Sequence, residues 1–360
     1  MPVEAAHEPA RHPDPVKLRH LGGPLLTIVS LGVVFALVEG LFTLLLAHPA
    51  LLRGLPQGLK SHVRRYYLAH DRNMIQAMAC CARYDRELYY TLRPGSFRFQ
   101  NREFDDEFRV NHLGLRDEEP ALVAPELIVL GDSYAMGWGV AQDQTIAKLV
   151  ERETGLRALN AGIASYGSVR EMRLLERLDT SRLRYLAIQY CSDDYLENGP
   201  FTNHGNSFTV GDEALYREDV KRAERRKRYW FGRRTLEFLR DVLGRGEPPG
   251  PEPASLHDQA RYFANVLQHA GRTDLSSVSI MAFEIAQSRV VDSSFALALR
   301  AELASARYPA HLRRLRALDL TGRLKPEDYY DLDDHLRPSG QQAVAQALAA
   351  VIREEQASPR

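Results

Sequence analysis

The chain is poor in cysteine, with only Cys80, Cys81 and Cys191 in 360 residues. Two are adjacent and the third sits in an apolar run, so neither a disulfide framework nor a metal-ligand spacing can be drawn from them. Charge of one sign is not in excess either. Lys+Arg and Asp+Glu both number 47, which excludes the global positive field that would mark a nucleic-acid partner. What is there is enough apolar residue to build a sizeable core in one large or two ordinary domains.

A long apolar run lies near the start. Leu25 to Ala47 is 23 residues with a single charge, Glu39, and at ~1.5 Å per residue it reaches across a bilayer's hydrocarbon. The exit, Leu46-Ala47-His48-Pro49-Ala50, is a poor small-x-small cleavage site, so the run reads as an uncleaved anchor rather than a signal peptide or a buried helix. Arg11, Lys17 and Arg19 precede it and Arg53, Lys60, Arg64 and Arg65 follow, so charge alone does not choose an orientation. Glu39 is costly in lipid and requires a protein partner or an off-centre position.

Residues 1–20 are polar and proline-rich and read as a disordered tail, with the anchor at 21–52. Residues 53–120 read as a helical stalk and an accessory segment that packs on the main domain. Within them Phe97, Phe99, Phe104, Phe108 and Val110 alternate as in short strands or a hairpin, and 111–116 reads as a turn.

From 121 to 357 the pattern is strand then helix, repeated. Strands are expected at 127–130, 156–159, 183–191, 278–283 and 315–320, and helices at 145–153, 169–178 and 338–355. This predicts an α/β fold: a parallel five-stranded sheet flanked by helices, three layers in all, preceded by one transmembrane helix. An insertion at about 199–276 interrupts it. Its segment Arg217–Asp241 carries ten basic and five acidic residues around Tyr229-Trp230-Phe231. It reads as one or two amphipathic helices, either a solvated face whose Trp and Phe pack on the domain or a surface for anionic lipid or acidic glycan. A Pro/Gly link follows at 244–251.

Leu127-Ile128-Val129-Leu130 runs straight into Gly131-Asp132-Ser133, placing a serine at the carboxyl end of a buried strand, where open α/β sheets put their chemistry. A lone serine there is more often a cap than a nucleophile. Three other strand ends supply partners: Asn160-Ala161-Gly162 after the second strand, Asp193-Asp194 after the third, and Asp331-Leu332-Asp333-Asp334-His335 before the last helix.

Taken in this order, these blocks resemble the SGNH/GDSL hydrolase family over about 127–355, and 84–116 is similar to the region preceding the domain in its membrane-anchored bacterial members. The resemblance implies that Ser133 is the nucleophile, His335 its base, and Asp333 the acid that orients the imidazole, with Asp331 in reserve. It also implies an oxyanion hole built from the N–H groups of Ser133 and Gly162 and the residue at 193. The sequence departs from the family twice. The position three before the histidine is Leu332, and the oxyanion asparagine is replaced by Asp193, so protonation of that carboxylate or a substitute donor such as Asn198 is required. The implied function is a membrane-anchored serine esterase or O-acyltransferase acting on acyl (acetyl) groups of an extracytoplasmic polysaccharide from the periplasmic side. It would use no organic cofactor or metal and have no nucleic-acid partner. The alternative is a catalytically impaired module that keeps the fold to bind glycan or a biosynthetic partner.

Overall fold

The computed structural model describes residues 16–244, 254–286, 289 and 292–357. The chain opens with α1 (Val16–Ala47) and α2 (Gln57–Tyr66). Within α1, Gly23–Ala47 is long and apolar enough to cross a membrane. Two antiparallel hairpins follow: β1 (Ala82–Asp85) with β2 (Tyr89–Leu92), and β3 (Gly95–Gln100) with β4 (Asp105–Val110). In the second, Phe97 faces Phe108 across the register and the rings of Phe99 and Phe108 are fully buried, so alternation turns one face of a two-stranded ribbon inward.

The main domain begins at β5 (Leu127–Gly131) and α3 (Ser133–Met136), then α4 (Ile146–Thr154), β6 (Ala158–Gly162), α5 (Ser168–Leu175) and β7 (Tyr185–Tyr190). The insertion contributes α6 (Tyr195–Asn203), α7 (Glu213–Arg226), α8 (Arg233–Val242) and α9 (Leu256–His269). The chain closes through β8 (Ser279–Glu284), α10 (Ser294–Leu303), α11 (Ala310–Arg313), β9 (Arg316–Leu318) and α12 (Pro338–Ala357). The five strands from β5 on are parallel, in the order β6-β5-β7-β8-β9.

Both faces of the sheet are covered, which is why its strands are apolar at every position rather than at every second one. Ile128, Leu130, Leu186 and Ile188 pack toward α5, α9 and α10, while Leu127, Val129, Tyr185 and Ala187 pack toward α4 and α12. The strand order reverses direction beside β5, and the carboxyl ends of β5 and β7 frame the crevice where such sheets bind ligands.

Several sequence expectations are corrected. Helix α1 starts at Val16, inside the expected tail, because nothing in Val16-Lys17-Leu18-Arg19-His20 interrupts a helix; residues 1–15 lie outside the described residues, as does most of the expected link at 244–251. Strand β6 runs two residues later than predicted. Its register, Leu127 opposite Ala158 to Gly131 opposite Gly162, keeps Asn160-Ala161-Gly162 inside the sheet rather than beyond its edge. The rings of Trp230 and Phe231 are 51% and 67% exposed rather than packed on the domain. Cys80 and Cys81 stand joined as a vicinal disulfide, a local link that no spacing rule for frameworks would have shown.

Candidate active site

Gly131 ends β5 where only a glycine fits. A Cβ there would stand 2.6 Å from Gln189 Oε1 and 2.7 Å from the Ala135 Cβ. The chain turns at once, and Asp132 caps α3 by accepting the Tyr134 N–H at 2.8 Å. Burial pushes the Asp132 carboxyl up to about 6 against that hydrogen bond. The turn leaves Ser133 facing a cleft of about 720 Å³ together with His335, Asp193 and Asp194.

Ser133 and His335 are brought together. Ser133 Oγ lies 2.6 Å from His335 Nε2, and His335 Nδ1 lies 2.5 Å from Asp333 Oδ1. Asp333 is fully buried. With its proton on Nδ1, the neutral imidazole presents a lone pair to the serine hydroxyl, the arrangement that lets a serine lose its proton as it attacks.

Asp331 is not part of this. Its carboxylate faces the other way, in ion pairs with Arg53 at 2.9 Å and Arg337 at 2.8 Å, which removes it as the reserve acid. The second acid beside the ring is Asp334, whose Oδ1 is 3.1 Å from Nδ1 and 2.7 Å from Arg72 Nη1. Burial would raise the Asp334 carboxyl, but Arg72 and His335 hold it well below the usual carboxylate range. Burial would lower the imidazole, yet Asp333 and Asp334 outweigh it, and His335 is pushed up to about 9.

Sequence reasoning missed the residues that hold the acid. Tyr67 donates its hydroxyl to Asp333 Oδ2 at 3.0 Å, and Trp138 donates its indole N–H to the same oxygen at 3.3 Å. The loop's backbone is fixed from the second hairpin: the N–H groups of Asp331, Leu332 and Asp333 all donate to Glu103, at 2.7, 2.8 and 2.9 Å. Arg116, buried over the Phe108 ring, donates to the carbonyls of Gly137 and Val140 and so fixes the turn carrying Trp138. The accessory segment therefore completes the site rather than merely leading to it. Only the Asn-x-x-Gly-Leu-Arg element ending at Arg116 gave a sequence signal of this.

The oxyanion residues also differ from expectation. The Gly162 N–H donates to Asn160 Oδ1 at 3.1 Å, and the residue is buried against the backbone of Ala135 and Met136. The Asn160 amide in turn donates to the Met136 carbonyl, so both are structural. The residue of this block that lines the cleft is Ser165, just past β6, at φ +58°. Its carbonyl accepts from Arg170 at 2.6 Å and its hydroxyl from Gln76 at 2.8 Å. Asp193 is exposed at the cleft wall on a single 3-10 turn. Asn198 is buried and donates to Ser168 Oγ at 3.2 Å, which itself donates to Asp194 at 2.9 Å; it cannot substitute for a donor at 193.

Asp333, Asp334 and His335 bring potential metal ligands within 4.8 Å of one another. Each is committed elsewhere, Nδ1 to Asp333, Nε2 to Ser133 and Asp334 to Arg72, which is hydrogen-bond geometry rather than a vacant ligand set.

No family model and no curated protein matches the chain. Among solved structures it is similar to a carbohydrate esterase family 2 enzyme with a carbohydrate-binding domain from Corynascus thermopiles (Myceliophthora fergusii), at 11% identity, 64% coverage of this chain, 66% of that chain and TM-score 0.37. It is also similar to a G-D-S-L family lipolytic protein from Desulfitobacterium hafniense (8% identity, 62% and 98% coverage, TM-score 0.33) and to the lipase Lip_vut3 from a goat rumen metagenome (13%, 62% and 95%, TM-score 0.32). The strand order, the Gly-Asp-Ser turn closing β5 and the Asp-Asp-His loop ahead of α12 are the features in which the chain resembles SGNH/GDSL hydrolases.

Proposed function

We propose that this chain is a membrane-anchored serine esterase or O-acyltransferase, with Ser133 as nucleophile, His335 as general base and acid, and Asp333 as the group that orients the imidazole. The observation that carries the reading is the unbroken relay from Ser133 Oγ through His335 to Asp333, with steps of 2.6 and 2.5 Å. Attack on an ester carbonyl forms a bond from Oγ while His335 takes the proton. Collapse returns that proton to the leaving alcohol and leaves acyl-Ser133, and the same base then activates water or a sugar hydroxyl.

The developing oxyanion needs preorganised donors, each worth about 10²–10³ in rate. The Ser133 N–H opens a helix and has no partner from the helix itself. The second donor assigned here is the Ser165 N–H, in place of Gly162, because Ser165 reaches the cleft wall from the end of β6. The wide cleft, with Tyr89, Tyr166 and Phe208 among its walls, suits an acylated carbohydrate laid across aromatic faces better than a lone small ester. An extracytoplasmic polysaccharide carrying acetyl groups is the substrate class, reached from the periplasmic side.

Asp193 supports a second reading, a module that binds glycan or a biosynthetic partner without turnover, since an ionised carboxylate beside the oxyanion repels it. Hydrolysis of p-nitrophenyl acetate by the full chain in detergent separates the two. Turnover abolished in Ser133→Ala supports the enzyme; wild type and Ser133→Ala equally inert, with both folded, supports the module.

A further inference from the structure

The described residues hold one polar group in an unusual place. Glu39 sits in the middle of the apolar helix α1, yet it is only 2% exposed and fully engaged. Thr235 donates to its Oε2 from both the backbone N–H and the hydroxyl, each at 2.9 Å, and Tyr229 donates its hydroxyl to Oε1 at 2.7 Å. Arg234 lies 3.8 Å from the same carboxylate and donates to Thr43 at 2.8 Å.

These contacts are part of a register. Helix α8 runs beside α1 in the same direction: Gly232 lies on Phe35, Thr235 on Glu39, and Phe238 on Phe42 at 5.3 Å between ring centroids. The steps, four and three residues on α1 and three and three on α8, are each about one turn, so a single face of each is used. Gly232 makes the approach possible, since a Cβ there would stand 2.7 Å from the Phe35 ring. Beyond Glu39, the inner side of α1 belongs to the domain: Phe42, Leu45 and Leu46 are buried with Tyr66, Tyr67 and Leu332.

Toward the N-terminus the helix is bare. Leu25, Leu26, Ile28, Leu31 and Leu37 are all more than 60% exposed. The bare apolar stretch from Gly23 to Leu37 is 15 residues, about 22 Å at ~1.5 Å per residue, shorter than hydrocarbon about 30 Å thick, a mismatch that local thinning of the bilayer accommodates. The turn Tyr229-Trp230-Phe231 hangs at the boundary between the bare and the covered parts. Its rings are 50%, 51% and 67% exposed, and Phe231 lies 6.3 Å from Phe35. Aromatic residues at such a boundary favour the bilayer interface, with an apolar body toward lipid and a polar edge toward water. Farther back on α7, Arg217 pairs with Glu213, Lys221 with Glu218 and Arg222 with Asp219.

We infer that the bilayer surface crosses α1 between Phe35 and Glu39, and that the turn Tyr229-Trp230-Phe231 dips into the interface of the same membrane, with Glu39 and the inner face of α1 beyond it packed on the domain. The lipid-embedded length then ends well before the Ala47 that hydropathy marks. Leu332, next to Asp333 in sequence, shares a core with the end of α1, so α1 packs directly against the loop that carries His335.

This rests on the anchoring part of the proposed function, and one experiment separates the two. The full chain is reconstituted into phosphatidylcholine vesicles whose lipids carry bromine high on the acyl chain, and tryptophan emission is read before and after the vesicles are floated. Trp138 is buried and Trp230 is the other of two tryptophans, so quenching of the Trp230 share of the emission is expected, leaving that of Trp138. That quenching disappears in Trp230→Phe, a change at an exposed ring that leaves activity unchanged. A chain that does not float with the vesicles overturns the anchor, and this inference with it. A chain that floats with Trp230 unquenched overturns the placement of the turn alone.

Discussion

The indole of Trp138 lies flat on the imidazole of His335, with ring centroids 4.7 Å apart and planes inclined by 13°, while its N–H points to Asp333. The imidazole proposed to take the serine proton is thus held from its face as well as its edge. Tyr67 supplies the second donor to the same carboxylate, from the helical turn that continues α2 past Tyr66.

Removing either donor tests that support. A hydrogen bond to a charged group contributes about 1.5–3 kcal/mol, and about 1.4 kcal/mol is tenfold in rate. Tyr67→Phe, at 3.0 Å, is expected to lower kcat about tenfold or more, and Trp138→Phe, at the longer 3.3 Å, by less. KM stays near the wild-type value in both, because neither group needs to touch substrate. Steady-state kinetics check this; a change in KM alone would assign them to binding instead.

How much of this was readable from sequence follows from where each residue's partners lie. The parallel sheet was legible because its strands are buried on both faces and broken by Gly-Asp-Ser, Gly155 and Pro338. Ser133, His335 and Asp333 were legible because each sits at an element's end in a short polar block. Tyr67 and Trp138 were not, since they meet Asp333 across 266 and 195 residues and nothing local marks them. Gly162 was misplaced for a physical reason: the small residues 160–162 look like the end of a strand but are needed inside one, where α3 presses on the sheet.

That close approach gives a stability prediction. A Cβ on Gly162 would stand 2.3 Å from the Met136 nitrogen and 2.7 Å from the Ala135 carbonyl carbon, backbone that cannot yield. Gly162→Ala is expected to cost about 1–3 kcal/mol or more and to displace the turn carrying Ser133, lowering both Tm and turnover. Gly58→Ala is the contrast. It lies exposed in α2 with nothing within 4 Å, and is expected to stabilise by about 0.5–1 kcal/mol. Thermal denaturation of the two variants measures both.

The pH dependence has a definite sign. An imidazolium has no lone pair for the serine proton, so activity requires the neutral form and rises as pH passes the His335 pKa. With His335 pushed up to about 9, kcat/KM should climb through an alkaline limb far above the ~6.5 of a free histidine. Asp334→Asn removes one of the carboxylates raising that value and should move the limb down. The stabilisation from the charged pair has the matching sign: it is fully present below about 6.5 and lost as pH rises through about 9. A pH–rate profile for wild type and Asp334→Asn checks the limb.

Asp193 is the residue most at odds with a working oxyanion hole. Replacing its acceptor-only carboxylate with an amide supplies a donor at the cleft wall and removes a repulsion. Asp193→Asn is therefore expected to raise acyl turnover several-fold, read as kcat on p-nitrophenyl acetate. A marked fall would give the carboxylate a positive role in the reaction.

The most direct test of the central claim is covalent. A fluorophosphonate reacts only with a serine whose proton is removed as it attacks, and the adduct is located by peptide mass spectrometry. A stoichiometric adduct is expected on Ser133, absent in Ser133→Ala and sharply slowed in His335→Ala. A folded wild-type chain that stays unlabelled, or is labelled on another serine, would contradict it.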